Sequence, residues 1–265
     1  MNIKITALVE NNSHCALKAV HGLSLYIKTP KHKLMFDLGP DNTLFENAEL
    51  LGLDLGEIDT VVISHGHDDH GGGLKRFLEI NSKAKVYVQE SAFGDHFSIV
   101  SGEKEDIGID KILRTHERVM LTHGNFRIDD ELEIFTAVTG NKYRSDANDF
   151  LYSGDNIDGF SHEQNLIIHG ENADALVMGC GHRGIVNILD NIKGYNVKTC
   201  VGGFHLFNPS LKKTAPEETL SSIAKELDES GISFYTCHCT GMEAFEYLEK
   251  RCAIKYLYCG ETIEI

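Results

Sequence analysis

The sequence is short of positive charge. Its 265 residues include 25 Lys and Arg against 40 Asp and Glu, which gives a formal net charge of −15. A surplus of negative charge repels phosphate backbones and anionic membrane surfaces unless a local basic patch overrides it. We therefore expect neither nucleic acid nor a membrane as a partner.

Long apolar runs, a leader and a dense cysteine framework are also missing. No stretch approaches the roughly 18 apolar residues that a membrane span requires. The amino terminus leads directly into the strand-like IKITALV, without a basic and then apolar leader. The seven cysteines are odd in number and widely spaced, unlike those of a secreted disulfide scaffold. These features predict a cytoplasmic protein with reduced thiols.

Motifs of several enzyme classes do not occur. The sequence has no Walker loop, no GxGxxG dinucleotide fingerprint and no Ser/His/Asp hydrolase motif. It also has no low-complexity tract, long linker or short-period repeat, while 42% of its residues are hydrophobic. We predict a single domain over residues 1–265, in which an irregular stretch at about 91–130 is a lid or an inserted hairpin.

Strand-like runs occur in both halves, and several alternate with helical patterns. Two similar halves, each a mixed sheet with helices on its outer side, predict an α/β (α+β) fold, a four-layer αββα sandwich. The predicted strands lie within 3–9, 23–29, 33–39, 59–65, 84–90, 132–138, 165–170, 174–180, 197–203, 232–238 and 254–260, and the predicted helices within 74–80, 185–192, 216–230 and 242–250.

The densest chemistry follows an apolar run, in the stretch VVISHGHDDHGGGL. Side chains two apart in an extended segment share a face, so His65 and His67 should point to the same side. Asp69 and His70 follow where the chain turns toward the next helix. Imidazoles and a carboxylate are ligands for Zn, Mn or Fe, and four such groups exceed what one ion with an open position needs. The stretch predicts a site for two metal ions.

Three glycines close this stretch, at 71–73. Glycine permits backbone angles and close backbone approach that a side chain would forbid. We expect the run to let the loop fold its ligands inward.

Further candidate ligands follow strand-like runs of the second half. Cys180 and His182 lie at a predicted strand-to-helix junction, where α/β proteins commonly build sites. His205 and His238 each follow a further run. Successive parallel strands would bring all three histidines to one edge of the second sheet.

The stretch SHGHDDHGGGL resembles the HxHxDH signature of the metallo-β-lactamase superfamily, and MFDLG resembles the Asp motif that precedes it. The resemblance implies the αββα fold with a site along one edge of the two sheets. By matching positions, it implies that His65 and His67 hold one metal ion and that Asp69 and His70 hold the other. Asp37 would lie behind them, where a carboxylate can hydrogen-bond the second ring nitrogen of a ligating imidazole. Without the resemblance, a turn residue is an equally good interpretation of Asp37. The implied cofactor is zinc, two ions, with manganese or iron as alternatives.

The second half departs from the superfamily pattern. The Asp that bridges the metal ions elsewhere in the superfamily is missing, and Cys180 stands in its frame. The histidine of the usual GHTxG motif is also absent. His162 occupies its approximate place, but we favour His182 as the ligand, with a surface loop as the alternative setting of His162. His238 matches the last ligand by order, whereas His205 is a ligand, a donor to a substrate oxyanion or a plain histidine at a strand end.

Five stretches together resemble one branch of the superfamily: HGLSLYIKT, FENAELLGLDLGEID, GCGHRGIVNIL, GGFHL and CHCTG. That branch is described as similar to 7,8-dihydropterin-6-methyl-4-(β-D-ribofuranosyl)aminobenzene-5'-phosphate synthase. The resemblance implies a metal-dependent enzyme that acts on a small phosphorylated or pterin-like metabolite. It is either a hydrolase that uses an activated water or a transferase in which pyrophosphate is displaced.

Few cations are placed to hold a substrate phosphate. Arg183 is the first choice, and Lys142 or Arg144 is the second, with surface ion pairing as the alternative for those two. The predicted metal ligands are His65, His67, Asp69, His70, Cys180, His182 and His238, and the predicted catalytic residues are Asp37, Asp69, His205 and Arg183.

A different function stays open. Because the bridging Asp and one histidine are missing, the alternative is a non-catalytic metal-binding protein or a redox sensor that acts through Cys180. His21 belongs to the branch resemblance or is simply packed beneath the site. The histidines without comparable context are expected to be solvated: His14, His32, His96, His116, His123 and His169.

Overall fold

The computed structural model describes residues 3–100 and 102–265, and contains two seven-stranded sheets. Strands and helices are numbered in chain order. The first sheet consists of β1 (Lys4–Val9), β2 (Ser24–Lys28), β3 (Lys33–Phe36), β4 (Thr60–Ile63), β5 (Lys85–Gln89), β8 (Val119–Thr122) and β20 (Thr262–Glu264). Their spatial order is β20-β1-β2-β3-β4-β5-β8. In this sheet β3, β4, β5 and β8 are parallel to one another, whereas β20, β1, β2 and β3 pair antiparallel.

The second sheet mirrors this plan. It consists of β9 (Phe126–Arg127), β10 (Leu132–Phe135), β13 (Asn165–Ile168), β14 (Asp174–Val177), β15 (Val197–Gly202), β18 (Ser233–Thr236) and β19 (Ile254–Tyr256). Their order is β19-β18-β15-β14-β13-β10-β9, in which β14, β15, β18 and β19 are parallel. All eleven predicted strands occur within their predicted ranges.

Two smaller sheets lie outside the main pair. One has the order β12-β11-β6-β7 and the other is a two-stranded hairpin. Their strands are β6 (His96–Val100), β7 (Glu103–Asp106), β11 (Leu151–Ser153), β12 (Asn156–Ile157), β16 (Phe207–Asn208) and β17 (Lys213–Thr214). The stretch expected as a lid or hairpin at about 91–130 thus contains the β6–β7 hairpin, but its later part supplies β8 and β9 to the two main sheets; residue 101 lies outside the described residues.

Within residues 3–100 and 102–265, six α-helices accompany the sheets. They are α1 (Thr43–Leu50), α2 (Asp68–Gly71), α3 (Leu74–Ile80), α4 (Ile185–Asn191), α5 (Glu217–Ser230) and α6 (Met242–Leu248). The four predicted helices correspond to the last four of these. The sequence did not predict α1, which is only eight residues long and whose Asn42 forms no side-chain cap. None of the helices in the described part of the chain is long and apolar enough to cross a membrane.

Three hydrophobic clusters define the layers. Phe36 and Val62 of the first sheet pack with Leu166 and Val177 of the second, which fills the space between the sheets. A second cluster joins α1 and α3 to the outer face of the first sheet, and a third joins α4, α5 and α6 to the outer face of the second. The predicted four-layer αββα sandwich is confirmed.

The topology brings four strand ends together. Strand β4 of the first sheet and the parallel strands β14, β15 and β18 of the second end at the same edge of the sandwich, so the residues that follow them meet there. The contact between the two sheets is close at this edge, because a Cβ added to Gly179 would lie 2.2 Å from Ser64 Oγ. Any residue other than glycine at this position after β14 would displace the segment that follows β4.

Candidate metal centre

Three imidazoles from the two sheets converge at this edge. His65 and His67 follow β4, and His182 follows β14. Their ligand atoms all lie within 4.8 Å of one another, and His65 Nε2 is 3.1 Å from His67 Nδ1. All three side chains are buried, and His182 Nε2 has no hydrogen-bond partner. We call this set the first donor group.

A second donor group lies beside the first and consists of Asp69, His70 and His238. His70 Nε2 is 3.2 Å from His238 Nε2. Asp69 Oδ2 lies 3.6 Å from the His70 nitrogen and 3.3 Å from the His238 nitrogen. Cys180 Sγ is 3.2 Å from His70 Nε2, and it also lies within 4.8 Å of a ring nitrogen of His65 and of His182. Cys180 therefore lies between the two groups.

The glycine run at 71–73 serves close approach. Gly72 and Gly73 have helical φ angles of −60° and −72°, so unusual backbone angles are not required there. A Cβ at Gly72 would lie 2.2 Å from Pro40 O, and a Cβ at Gly73 would lie 2.4 Å from Leu38 O. Of the two reasons expected for these glycines, contact with the neighbouring backbone is the one that the structure supports.

Three residues at the site adopt a left-handed backbone conformation that favours glycine. Asp37, His205 and His238 have φ values of 61°, 49° and 53°. Non-glycine residues adopt such angles at a cost of about 1–3 kcal/mol each and do so mainly at functional sites. Each follows a strand that ends at the shared edge, where the strained turn directs its side chain.

Asp37 orients both donor groups. Its Oδ2 is 2.6 Å from His70 Nδ1 and accepts a 2.7 Å hydrogen bond from Ser64 Oγ, which in turn is 2.8 Å from His65 Nδ1. Asp37 Oδ1 accepts a further bond from the Ser64 amide. A carboxylate behind a ligating imidazole fixes the ring and raises its basicity.

His238 is held by residues that the sequence did not reveal. Its Nδ1 is 2.8 Å from Asn11 Oδ1, and its backbone amide donates to Glu10 Oε1 at 2.8 Å. Tyr256 also donates to the buried Glu10 carboxylate. Glu10 and Asn11 follow β1 without any motif, so only their position beside β18 shows their role.

His182 has its own set of partners. Its Nδ1 is 3.0 Å from Asn148 Oδ1, and its backbone amide donates to Glu163 Oε1 at 2.6 Å. The Phe160 ring lies parallel to the imidazole, with centroids 4.3 Å apart. These contacts direct the unpartnered Nε2 of His182 toward the other donors.

Burial favours the neutral form of the first donor group. It lowers the pKa of His65, His67 and His182 well below the usual range, and neighbouring histidines add to the effect. A neutral imidazole has a free electron pair for a metal ion. The first donor group is therefore in the protonation state that coordination requires.

The second donor group combines opposite charges. Burial alone would raise the pKa of Asp69, but His70 and the other adjacent histidines hold it well below its usual range. Burial would lower the pKa of His70, but the carboxylates of Asp69 and Asp37 raise it to about 9. Burial raises the pKa of the Cys180 thiol. Nitrogen, carboxylate and sulfur donors that lie this close and buried fit metal ions of the zinc class.

His162 and His96 are buried, contrary to the surface loop considered for His162 and to the solvated position expected for His96. Both are 1% exposed and share the Asp158 carboxylate, with distances of 2.9 Å and 3.2 Å to its Oδ2. His162 Nδ1 also accepts a hydrogen bond from the Gly66 amide. His162 lies in a largely buried segment, and His96 is the buried first residue of the partly exposed β6, which the local sequence pattern did not indicate.

The other histidines vary in exposure. His14 and His123 are exposed, as expected, while His116 is half-buried. His32 and His169 are half-buried and paired with carboxylates, so the expectation that they are solvated is wrong for both. His21 is exposed rather than packed beneath the site, and its Nε2 is 3.3 Å from Asp69 Oδ2.

A cavity of about 200 Å³ opens directly above both donor groups. His205 lines it, and neither of its ring nitrogens has a hydrogen-bond partner. Among the described residues that line the cavity, none is Lys or Arg. Donors form its floor, and the apolar part of its wall comes from Ile107, Ala147, Phe150, Leu151, Phe207 and Pro209.

The three cations proposed for phosphate lie elsewhere. Arg183 donates to the carbonyl oxygens of residues 159 and 138. Lys142 pairs with Asp190 at 2.8 Å, and Arg144 pairs with Asp149 at 2.6 Å. The structure therefore does not bring these side chains together with the donor groups, and the ion pairing left open for the latter two is present.

Comparisons with known proteins agree with this architecture. The family model described as "Metallo-beta-lactamase superfamily" matches residues 17–172. The 7,8-dihydropterin-6-methyl-4-(β-D-ribofuranosyl)-aminobenzene-5'-phosphate synthase of Methanocaldococcus jannaschii is 30% identical, over 92% of this chain and 89% of the synthase. The uncharacterised protein MJ0448 of the same organism is 28% identical, over 98% of this chain and its own full length.

Solved structures are similar over the whole chain. Tm1679, described as a metal-dependent hydrolase of the beta-lactamase superfamily, has a TM-score of 0.81 and 26% identity, with 99% of each chain covered. The metallo-beta-lactamase fold protein YhfI of Bacillus subtilis has a TM-score of 0.64 at 9% identity, with both chains fully covered. The second likeness concerns the fold alone.

Proposed function

The chain belongs to the metallo-β-lactamase superfamily, and from this premise we propose that it is an enzyme that binds two metal ions and acts on a small molecule. One observation carries the proposal: two donor groups lie side by side, and residues of both line a single cavity. His65, His67 and His182 would hold one ion, and Asp69, His70 and His238 the other. Cys180 would contact both, in the place of the missing bridging Asp.

Divalent cations in such a pair activate a water molecule for attack and stabilise negative charge on substrate oxygens. The chain's own residues orient the donors and shape the substrate site. Asp37 fixes the rings of His65 and His70, directly or through Ser64. His205 faces the cavity with both ring nitrogens unpartnered, so it can donate a hydrogen bond to a substrate oxygen or a proton to a leaving group. We propose His205 as the catalytic hydrogen-bond donor.

The cavity lining favours one substrate class over another. Phe150, Leu151 and Phe207 supply an apolar and aromatic wall, and neutral polar groups such as Asn208 and Ser210 lie beside them. Multiply charged phosphates are usually held by Arg or Lys, which the described lining lacks. We therefore propose a small substrate with an uncharged, pterin-like aromatic body rather than one held mainly through its phosphates.

Hydrolysis is the reaction that the site supports best. Likeness to Tm1679, described as a metal-dependent hydrolase, supports this choice at 26% identity. A transferase is the second candidate, since the synthase relative is 30% identical over most of both chains. In a transferase the same cavity would hold an acceptor in place of water, and the apolar wall would exclude water from it.

We propose a metal-binding role for Cys180 rather than a redox-sensing role. The thiol is 3% exposed, and its Sγ lies among the donors of both groups. An oxidant would have to enter the cavity floor to reach it. Redox sensors expose their cysteine instead.

The test combines metal analysis with turnover. The purified protein should hold about two equivalents of metal after dialysis, as expected for a two-ion site. It should lose activity with a chelator on a panel of phosphoester, lactone and reduced pterin substrates. Formation of a joined product, with release of pyrophosphate, would favour the transferase. A protein with two equivalents of metal, no turnover and reversible oxidation at Cys180 would contradict the enzyme proposal.

A further inference from the structure

One segment contacts both chain regions that carry the first donor group. Residues 158–164 connect β12 to β13 and contact the segments that follow β4 and β14. The backbone amide of Gln164 donates to Ser64 O at 2.7 Å, and Gly66 donates to His162 Nδ1 at 3.0 Å. On the other side, Glu163 accepts the amide hydrogens of His182 and Arg183 at 2.6 Å and 2.9 Å.

The tautomer of His162 follows from its partners. A backbone N–H can only donate, so Nδ1 of His162 must accept from Gly66, and the proton must be on Nε2. That nitrogen then donates to Asp158 Oδ2 at 2.9 Å. Both ring nitrogens are occupied, and the side chain is 1% exposed. His162 thus acts on the neighbouring loop and has no free nitrogen for a metal ion.

The loop that His162 holds has little room to adjust. Gly66 lies between His65 and His67, and a Cβ at this position would be 2.4 Å from Ala92 O and 2.7 Å from His96 Nε2. The loop has other anchors, because Ile109 donates to Gly66 O at 3.3 Å. Loss of the bond from Gly66 to His162 should therefore change the relative orientation of the two histidines without detaching the loop.

Glu163 and Phe160 act in the same way on His182. The carboxylate fixes the two successive amides at the start of the 182–183 turn, and the Phe160 ring lies parallel to the imidazole at an interplanar angle of 2°. The bonds that orient the second donor group come from other residues, namely Asp37, Glu10 and Asn11.

We propose that residues 158–164 are a positioning element for the first donor group. In this element His162 determines the orientation of His65 and His67, and Glu163 determines that of His182. The inference rests on the proposed two-ion function. It also revises the surface loop considered as the setting of His162, since this side chain is buried. One short segment would then determine the affinity for one of the two metal ions and leave the other unaffected.

The test compares His162→Leu with His162→Asn. Leucine fills the space without an acceptor, whereas the Asn Oδ1 can accept from Gly66 as Nδ1 does. Zinc affinities of both sites would be measured by competition with a chromophoric chelator. We expect His162→Leu to weaken zinc binding at one of the two sites about tenfold or more, which is the usual effect of losing a contact that orients a metal ligand. Zinc binding at the other site should be unchanged. His162→Asn should recover most of the loss.

Two further variants keep the test decisive if His162→Leu folds poorly. Glu163→Gln places an amide NH₂ against one of two backbone N–H donors and should weaken the same site. Glu163→Gln in a His182→Ala background should add almost nothing, because Glu163 then positions a side chain that is absent. The matched control is His123→Leu, at an exposed histidine paired with Glu90, which should bind like the wild type.

The outcomes separate this inference from the proposed function. Two ions bound with unchanged affinities in His162→Leu and Glu163→Gln would overturn the inference alone. An equal loss at both sites, together with a lower melting temperature of the metal-free protein, would also overturn it, since the role would then be general stability. A wild-type protein that binds fewer than two ions would overturn both proposals.

Discussion

The two regions that supply the metal donors are built differently. In the first half, His65, His67, Asp69 and His70 follow one strand within six consecutive positions. In the second half, the candidates lie after three separate parallel strands, at Cys180, His182, His205 and His238. A local loop fixes the first set, whereas the order of strands in a sheet fixes the second.

The difference also appears in the supporting contacts. Asp37 and Ser64 hold the first-half donors through bonds within one corner of the first sheet. His238 depends on Glu10, 228 positions away in the first half of the chain, whereas His182 is held by Glu163 of its own half. A shift between the sheets would change the contact of Gly66 with His162 and that of His238 with Glu10, whereas the spacing of the donors within the 65–70 loop is fixed by the chain itself.

The largest effect is expected from breaking the local loop. His67→Ala should remove at least one equivalent of metal, because the variant leaves the first donor group with two imidazoles. The fold should persist, since the loop lies at the edge of the sheets and not within a hydrophobic cluster. Elemental analysis after dialysis measures the loss, with His123→Ala as control. Full occupancy in His67→Ala would mean that the first donor group is not a metal site.

His182→Ala tests the distributed region. Loss of the His182 imidazole should weaken zinc binding about tenfold or more, because even the loss of a contact that only orients a ligand weakens metal binding by this factor. Zinc titration in one buffer against the wild type measures the change. Equal affinities would show that the second half contributes its ligand from another position.

A smaller effect is expected from Asp37→Asn, which alters the orientation of the metal donors but removes none of them. Asn tolerates the positive φ of 61° at this position as Asp does, so backbone strain is matched. Its single acceptor oxygen cannot replace both carboxylate oxygens, one of which accepts from the Ser64 amide while the other contacts His70, and metal affinity should fall about tenfold. Titration should show both ions affected, since Asp37 reaches both groups. A loss confined to one ion would separate the groups more sharply than the hydrogen bonds suggest.

The smallest effect concerns a histidine remote from both regions. His32 lies between Asp59 and Asp129, which precede strands of different sheets, with 2.8 Å to each. Burial would lower its pKa, but the two carboxylates raise it above the usual value. The folded state therefore binds the proton more tightly than the unfolded chain, so this stabilisation is full below about pH 6.5 and is lost as pH rises through the raised pKa.

His32→Gln removes that dependence. Urea unfolding at about pH 5.5 and pH 9 should show a stability difference from the wild type of roughly 1 kcal/mol or less at the lower pH, which vanishes at the higher pH. A difference that grows toward pH 9 would mean that His32 stabilises the fold in its neutral form.

Much of the fold could be predicted from the sequence. Alternation within the strands and the amphipathic pattern of α5 are local properties, so the predicted positions agree with the structure. The short α1 has no such signal, because eight residues give barely two turns and its cap is weak. The stretch at 91–130 was interpreted as one unit, yet its strands pair with three different sheets, which no local pattern reveals.

The sequence by itself determined the donor loop, because donors within six adjacent positions stay close together wherever the loop lies in the fold. It also determined the sandwich, because the period of its apolar residues decides which face of each element is buried. Only the tertiary structure decided that Glu10, Asn148 and Glu163 support the site, that His162 is buried, and that Arg183 points away from the cavity. These facts depend on contacts between residues up to 228 positions apart, and such contacts exist only once parallel strands have brought their ends to one edge.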